Sequence, residues 1–329
     1  MLGVGLIGAG GVAESHLLAW LKRDNAKIVG VADVDPKRAA EFAAAAGIER
    51  WTVDYSELLE WDDIDTVDVC TTEATHGRIA SDVAEAGKHV LVEKPIATTL
   101  DDADRIIEAA SRNHVQLMVA HSHHFFDYSI IAKAAIDSGE IGTPVYMRFS
   151  SGGGFWRQDW TGNRINPGDT GGNVLTNGVH VTDLCNWWMD ARPVSVYAQA
   201  RNLTSSYLEM NDYFMITIKY DNGAIAVTDL SRANMPRSNQ FSSITVLGSE
   251  GEITTGTKYD SQWLYSDAGL EFIRLDYQHG FDREIREFAS SILEGRVPLV
   301  TGEQGRVALE ICLAAERSIR NGEIVELAG

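Results

Sequence analysis

"GVGLIGAGGVA", residues 3–13, decides how the first part of the chain is read. "GVGLIGAG" has the apolar character of a buried strand, and Gly8, Gly10 and Ala13 then follow the pattern G-x-G-x-x-[GA] where a helix opens. The first glycine permits a tight turn, the second lets backbone approach a pyrophosphate, and Ala13 is small enough for close helix–strand packing. A helix that starts there points free N–H groups and its positive dipole end at an anion.

The alternation continues outward from that turn. "KIVGVADVD" is a second strand, and Pro36 opens the helix "PKRAAEFAAAAG", which Gly47 ends. "TVDVCTT", "KHVLVEKP" and "VQLMVAH" are further strands, with the helices "HGRIASDVAEAG" and "LDDADRIIEAASRN" between them. Strands alternating with helices across short turns predict a doubly wound parallel sheet, an α/β Rossmann domain over residues 1–121. Asp33 lies 20 residues after Ala13, the spacing of an acid that accepts from the adenosine ribose hydroxyls. Asp33 and Asp35 would repel a 2′-phosphate and no arginine follows at once, so NAD is expected rather than NADP. The expected dinucleotide site is Gly8, Ala9, Gly10, Gly11 and Val12, then Asp33 and Val34, then Thr71, Thr72 and His76, and finally Glu93 and Lys94.

After residue 121 the pattern changes, and residues 122–329 are read as a second, α+β domain. The helix "DYSIIAKAAIDSGEIG" and the strand "PVYMRFSS" lead to a loop rich in Gly, Asn and Asp, and "NGVHVTDLCNWWMD" is a helix. Strand-like runs over 194–275 include "YDNGA", whose Asn-Gly between alternating segments signals a hairpin. A mainly antiparallel sheet is expected, with two closing helices; the one over 301–321 is placed to pack back toward the first domain.

Composition narrows the function classes. At 44% hydrophobic residues, the chain of 329 can build two cores. A net charge of −19 argues against nucleic acid and anionic membrane as partners. No apolar run reaches the ~20 residues of a membrane span, and the glycine-punctuated start lacks a basic leader, so a cytoplasmic location is expected. Cys70, Cys185 and Cys312 form no CxxC pair and read as buried thiols; with no zinc-ligand spacing, no metal is expected. "HSHHFF" comes nearest: in an extended segment His121 and His123 would share a face.

Lys94 follows the strand "HVLVE", and ligands of doubly wound sheets sit beyond the carboxyl ends of strands. A lysine there can bond a substrate hydroxyl and stabilise a developing alkoxide; a solvated surface charge is the plainer reading. His180 opens an apolar helix with Asp183 on its side, suited to proton transfer or simply to packing. "FWRQDWTGNRINPGD" offers Trp156, Arg157 and Arg164 to a sugar or ring, or to a subunit contact. His123, His124 and Asn177 complete the expected substrate set.

These stretches together, with "AGKHVLVEKPIATTL", "SGEIGTPVYMR", "GGNVLTNGVHVTDL" and "LVTGEQGRVALEICLAAERS", resemble the Gfo/Idh/MocA family nearly end to end. The family includes glucose–fructose oxidoreductase and inositol dehydrogenase. The resemblance implies a Rossmann domain followed by a domain with a large, mostly antiparallel sheet, through which a homodimer or homotetramer forms. It also implies NAD(P)-linked oxidation or reduction of a carbinol carbon on a sugar, polyol or related ring. The family lysine falls on Lys94 and its histidine, a general base, on His180. Thr176 stands where many members have an aspartate, leaving Asp183 or Asp169 as possible support. Thr71, Thr72 and Glu73 replace a common T-P-N, and His124 replaces an arginine. Two other readings follow from the same resemblance: a sugar-responsive regulator that binds a dinucleotide without turnover, and a reductase of a keto-sugar or unsaturated ring.

Overall fold

The structure, a computed structural model, describes residues 1–153, 171–206, 210–233, 241–255, 261–266, 269–274 and 280–327. Contacts divide the chain into two units, residues 1–122 with 279–306, and residues 123–278 with 307–329.

The first unit carries a six-stranded parallel sheet. Its strands are β1 (Leu2–Ile7), β2 (Ala26–Ala32), β3 (Arg50–Thr52), β4 (Thr66–Val69), β5 (His89–Glu93) and β6 (Leu117–Ala120), in the order β3-β2-β1-β4-β5-β6. The order reverses beside β1, which defines a switch point at its carboxyl end. β1, β4 and β6 are buried throughout, as strands covered on both faces must be. Edge strand β3 and helix α3 (Tyr55–Leu59) are not visible in the sequence pattern, since three and five residues are too few to show a period.

Helix starts follow the local chemistry. In α2 (Pro36–Ala46) Asp35 caps the amides of Lys37 and Arg38, Pro36 takes the first position, and Gly47 stops the helix at φ +67°. In α5 (Leu100–Arg112) Thr99 accepts from the Asp102 amide. By contrast, among the described residues α1 (Gly11–Trp20) begins at Gly10 with no side-chain cap, and α4 (Glu73–Glu85) begins at Thr72 with none.

The sequence reading assigns 279–306 to the second domain; its contacts lie in the first unit. Phe288 meets Trp20 edge-on at 6.4 Å, Arg23 pairs with Asp282, and the Val119 amide donates to the Val300 carbonyl. These partners are 181 to 268 residues apart, so no local pattern announces them.

The second unit carries a nine-stranded sheet. In chain order its strands are β7 (Pro144–Gly152), β8 (Pro193–Arg201), β9 (Tyr213–Tyr220), β10 (Ile225–Ser231), β11 (Phe241–Gly248), β12 (Glu252–Thr255), β13 (Ser261–Ser266), β14 (Gly269–Arg274) and β15 (Val325–Glu326). They lie in the order β14-β13-β12-β11-β7-β10-β9-β8-β15. The expected hairpin joins β9 to β10, with Gly223 at φ +87°. The sheet is mainly antiparallel, as expected, and β7 and β10 form a parallel pair within it. Helix α6 (Asp127–Asp137) precedes β7, and α7 (Val179–Met189) follows a wide π turn, Val174–Gly178. "HSHHFF", in which an extended segment would put His121 and His123 on one face, forms a 3-10 turn over Ser122–Phe125 instead. Among the described residues, no helix is long and apolar enough to cross a membrane.

Candidate active site

At the carboxyl end of β1 the chain turns on Gly8, whose φ of +96° puts it in the region that favours glycine. A Cβ there would lie 2.5 Å from the Cys70 carbonyl oxygen, so the turn admits no side chain. Among the described residues, a Cβ at Gly10 or Gly11 would meet nothing within 4 Å, which leaves open space before the uncapped first turn of α1. Open space at a helix start whose amides lack a cap fits a dinucleotide pyrophosphate. Ala13, one turn on, is fully buried.

Asp33 stands just past β2 and is nearly buried. Its Oδ2 accepts from the Ala9 amide at 2.9 Å and its Oδ1 from the Asp35 amide at 2.9 Å, so the acid is locked to the glycine turn. Arg38 reaches both acids, 3.5 Å from Asp33 and 3.6 Å from Asp35. The sequence reading missed this arginine because it looked only at the next residue, whereas a helix start folds position 38 back. Val34 is exposed beside them.

Lys94, part-buried, follows the last residue of β5. The corner behind it is fastened from two sides. His76 in α4 places Nδ1 2.8 Å from the Pro95 carbonyl and Nε2 3.1 Å from that of Thr71. Glu93 turns its carboxylate inward: Oε2 accepts from the Lys94 amide at 3.0 Å, and Oε1 lies 3.1 Å from Nε2 of His16. His16 is fully buried, and its Nδ1 lies 3.0 Å from Asp68 Oδ2. Trp20 Nε1 donates to that oxygen at 2.8 Å, and the Cys70 thiol donates to Asp68 Oδ1 at 3.3 Å.

Two carboxylates facing the two nitrogens of one ring call for two N–H donors, that is, imidazolium. Burial by itself lowers the His16 pKa, but the Asp68 charge and the hydrogen bonds to Asp68 and Cys70 hold it well above 6.5. Burial likewise opposes ionisation of Glu93, and His16, Lys94 and His76 hold its carboxyl below the usual range. Glu284, fully buried nearby on α8 (Gly280–Glu294), has no hydrogen-bond partner for either oxygen among the described residues. Burial pushes its carboxyl well above 4.5, and the His16 charge only partly offsets this.

Sequence reading missed this group. The signal available was Asp68, a lone carboxylate inside the apolar strand "TVDVC". His16, Asp68 and Cys70 also bring three donor atoms within 4.8 Å of one another, a spacing a metal could use. Hydrogen bonds account for the spacing, and burial pushes the Cys70 thiol up, away from the thiolate a metal needs.

In the second unit, His180 sits in the first turn of α7, half-buried. Its ring lies 4.6 Å from that of His123, which shares a 2.5 Å hydrogen bond with the Tyr128 hydroxyl. His124 is stacked on Trp187 at 4.0 Å, and its Nε2 lies 2.6 Å from Asp183 Oδ2. Asp183, considered above as support for His180, is thus engaged by His124. Thr176 lies in the π turn, its amide bonded to the Gly172 carbonyl. Asn177 donates to Asn173 at 2.8 Å and accepts from Arg232 at 3.0 Å. Arg232 also donates to the Gly153 carbonyl, and burial pulls its pKa below the ordinary value. Nothing in the sequence singles it out. Trp156, Arg157, Arg164 and Asp169 lie outside the described residues.

A parallel sheet with a glycine turn, a buried acid just past its second strand and a lysine at its carboxyl edge defines a dinucleotide-dependent oxidoreductase fold. Residues 2–121 match the family described as "Oxidoreductase family, NAD-binding Rossmann fold", and residues 130–254 match the "GFO/IDH/MocA C-terminal domain". The chain belongs to the Gfo/Idh/MocA oxidoreductase family. It is 32% identical to the scyllo-inositol 2-dehydrogenase (NAD(+)) of Bacillus subtilis (strain 168), over 92% of this chain and 89% of that protein. It is 28% identical to the myo-inositol 2-dehydrogenase of Thermotoga maritima, over 98% of each. GenD2 from gentamicin A biosynthesis, solved in complex with NAD, superposes with a TM-score of 0.87 at 25% identity, covering 100% of this chain and 97% of that one.

Proposed function

We propose that this enzyme oxidises a secondary alcohol of a sugar, cyclitol or related polyol with NAD, Lys94 orienting and charge-stabilising the substrate oxygen and His180 taking its proton. The nicotinamide, when bound, supplies the hydride acceptor. Gly8 makes the turn and Gly10 and Gly11 leave room for the pyrophosphate, and Asp33, fastened to the Ala9 amide, accepts from the ribose hydroxyls. Lys94 donates to the reacting oxygen, favouring the alkoxide over the alcohol as charge develops. His180 holds the departing proton.

The observation that carries this reading is the alignment at one sheet edge: Gly8 after β1, Asp33 after β2 and Lys94 after β5. The inositol dehydrogenases to which the chain is similar support a polyol substrate. Two carboxylates, Asp33 and Asp35, support NAD over NADP. Self-association as a homodimer or homotetramer is supported by the open face of the large sheet, where Met215 and Ile225 share a face and are each 40% exposed. Light scattering checks the assembly.

The test of the chemistry is a panel of inositols, sugars and their keto forms, followed by NADH absorbance in both directions. Lys94→Ala should lower turnover about 10³-fold on the best substrate while leaving a folded protein that still binds NADH. A variant within about threefold of wild type overturns the reading.

A further inference from the structure

We propose that His16 is a positioning residue for Lys94, bridging Asp68 and Glu93 so that the Glu93 carboxylate fixes the Lys94 amide. The inference rests on the role given to Lys94 above.

The geometry is a chain with no slack. Asp68 is held by Trp20 Nε1 and by the Cys70 thiol, and faces His16 Nδ1 through both oxygens, at 3.1 and 3.0 Å. His16 Nε2 faces Glu93 Oε1 at 3.1 Å, and Glu93 Oε2 takes the Lys94 amide at 3.0 Å. The Phe281 ring, 5.5 Å from the imidazole, closes one side. Each carboxylate oxygen and each ring nitrogen in this chain therefore has a stated use.

A brace between α1 and the sheet needs none of this. An apolar side chain at position 16 would pack the same gap, and a buried ion pair is often no more stabilising than its apolar replacement. What the ionic chain adds is direction. Its last bond ends on the backbone of the residue expected to touch substrate, and a lysine side chain swings from that backbone. His16 also lies on the same helix as the Gly10 turn, so the element that seats the cofactor phosphates sets the lysine too. Misplacement of a reacting group by about 1 Å is enough to lose about 100-fold in rate.

The test uses full-length enzyme with NAD and the best alcohol of the panel. His16→Ala and Glu93→Ala should each lower kcat about 10- to 100-fold, with the alcohol KM, and for His16→Ala also the NADH Kd, changed less than about threefold. Glu93→Gln keeps an oxygen for the Lys94 amide and an amide for the ring, and should recover at least about tenfold over Glu93→Ala. In a Lys94→Ala background, His16→Ala should change the residual rate by less than about twofold, because the two act through one step. A folded His16→Ala enzyme with unchanged kcat overturns the proposal, as does a Glu93→Gln variant no better than Glu93→Ala. If His16→Ala does not fold, the Glu93 pair decides alone. Failure of Lys94→Ala to slow turnover would instead remove the reading of Lys94 itself, a separate outcome from these.

Discussion

Topology gathers the candidate residues of the first unit, while side-chain packing gathers those of the second. Gly8, Asp33 and Lys94 each follow a strand of one parallel sheet, so knowing the strands is enough to place them at one edge. His123, His124, Asp183 and Trp187 meet because the turn after β6 packs on α7, and no spacing rule foretells that. The difference predicts how each region fails. Damage at the sheet edge should appear in cofactor or lysine geometry, and damage in the histidine cluster should appear in proton transfer and in the stability of the second unit.

The largest expected effect tests the separation directly. His180→Ala should lower kcat about 10³-fold, the contribution of a general base, with the NADH Kd within about twofold of wild type. Steady-state kinetics and fluorescence titration read the two quantities. A parallel loss of cofactor affinity would break the division of labour between the regions.

His124→Ala should destabilise the protein by about 3 kcal/mol in urea unfolding, since Asp183 stays buried with one strong partner fewer and Trp187 loses its stacked ring. Its cofactor affinity should not change. Little loss of stability would show that the pair at 2.6 Å is incidental to the packing.

What the sequence displays follows the same line. The glycine turn, the acid after β2, the hairpin at Asn222-Gly223 and the lysine after β5 are all local signals, and each element lies where its pattern places it. Segment 279–306, the parallel pairing of β7 with β10 and the partners of His16 are long-range, and periodicity carries no information about them. Glu284 is the sharpest case. In "FDREIREF" it looks like any solvated helix carboxylate, yet it is fully buried because α8 packs on α1.

That burial has a measurable consequence. A carboxyl whose folded pKa is raised binds its proton more tightly when folded, so its contribution to stability is greatest below about pH 4.5 and falls as pH rises toward the folded value. The His16 contribution is likewise complete below about 6.5 and lost as pH climbs through its raised pKa, whereas that of Glu93 is lost on acidification. Glu284→Gln removes the first of these alone. As pH rises above about 4.5 the wild type should lose stability relative to the variant, at no more than about 1.4 kcal/mol per pH unit. Parallel stability curves for the two proteins would mean that Glu284 ionises freely.

The smallest effect probes the edge of the cofactor site. Asp33 does two things there: it accepts from the Ala9 and Asp35 amides, and it holds Arg38 at 3.5 Å. Asp33→Ala removes the proposed ribose acceptor and a negative charge at once, leaving Arg38 paired with Asp35. NAD should bind about tenfold more weakly, a difference of about 1.4 kcal/mol, while NADP should lose less or gain, because Arg38 can then turn to a 2′-phosphate. Arg38→Ala in the same background should withdraw that advantage and weaken NADP without further harm to NAD. If the ratio of the two Kd values does not move in Asp33→Ala, the discrimination lies elsewhere than in the acid after β2. If it moves but Arg38→Ala has no effect on NADP, repulsion by Asp33 alone sets the preference.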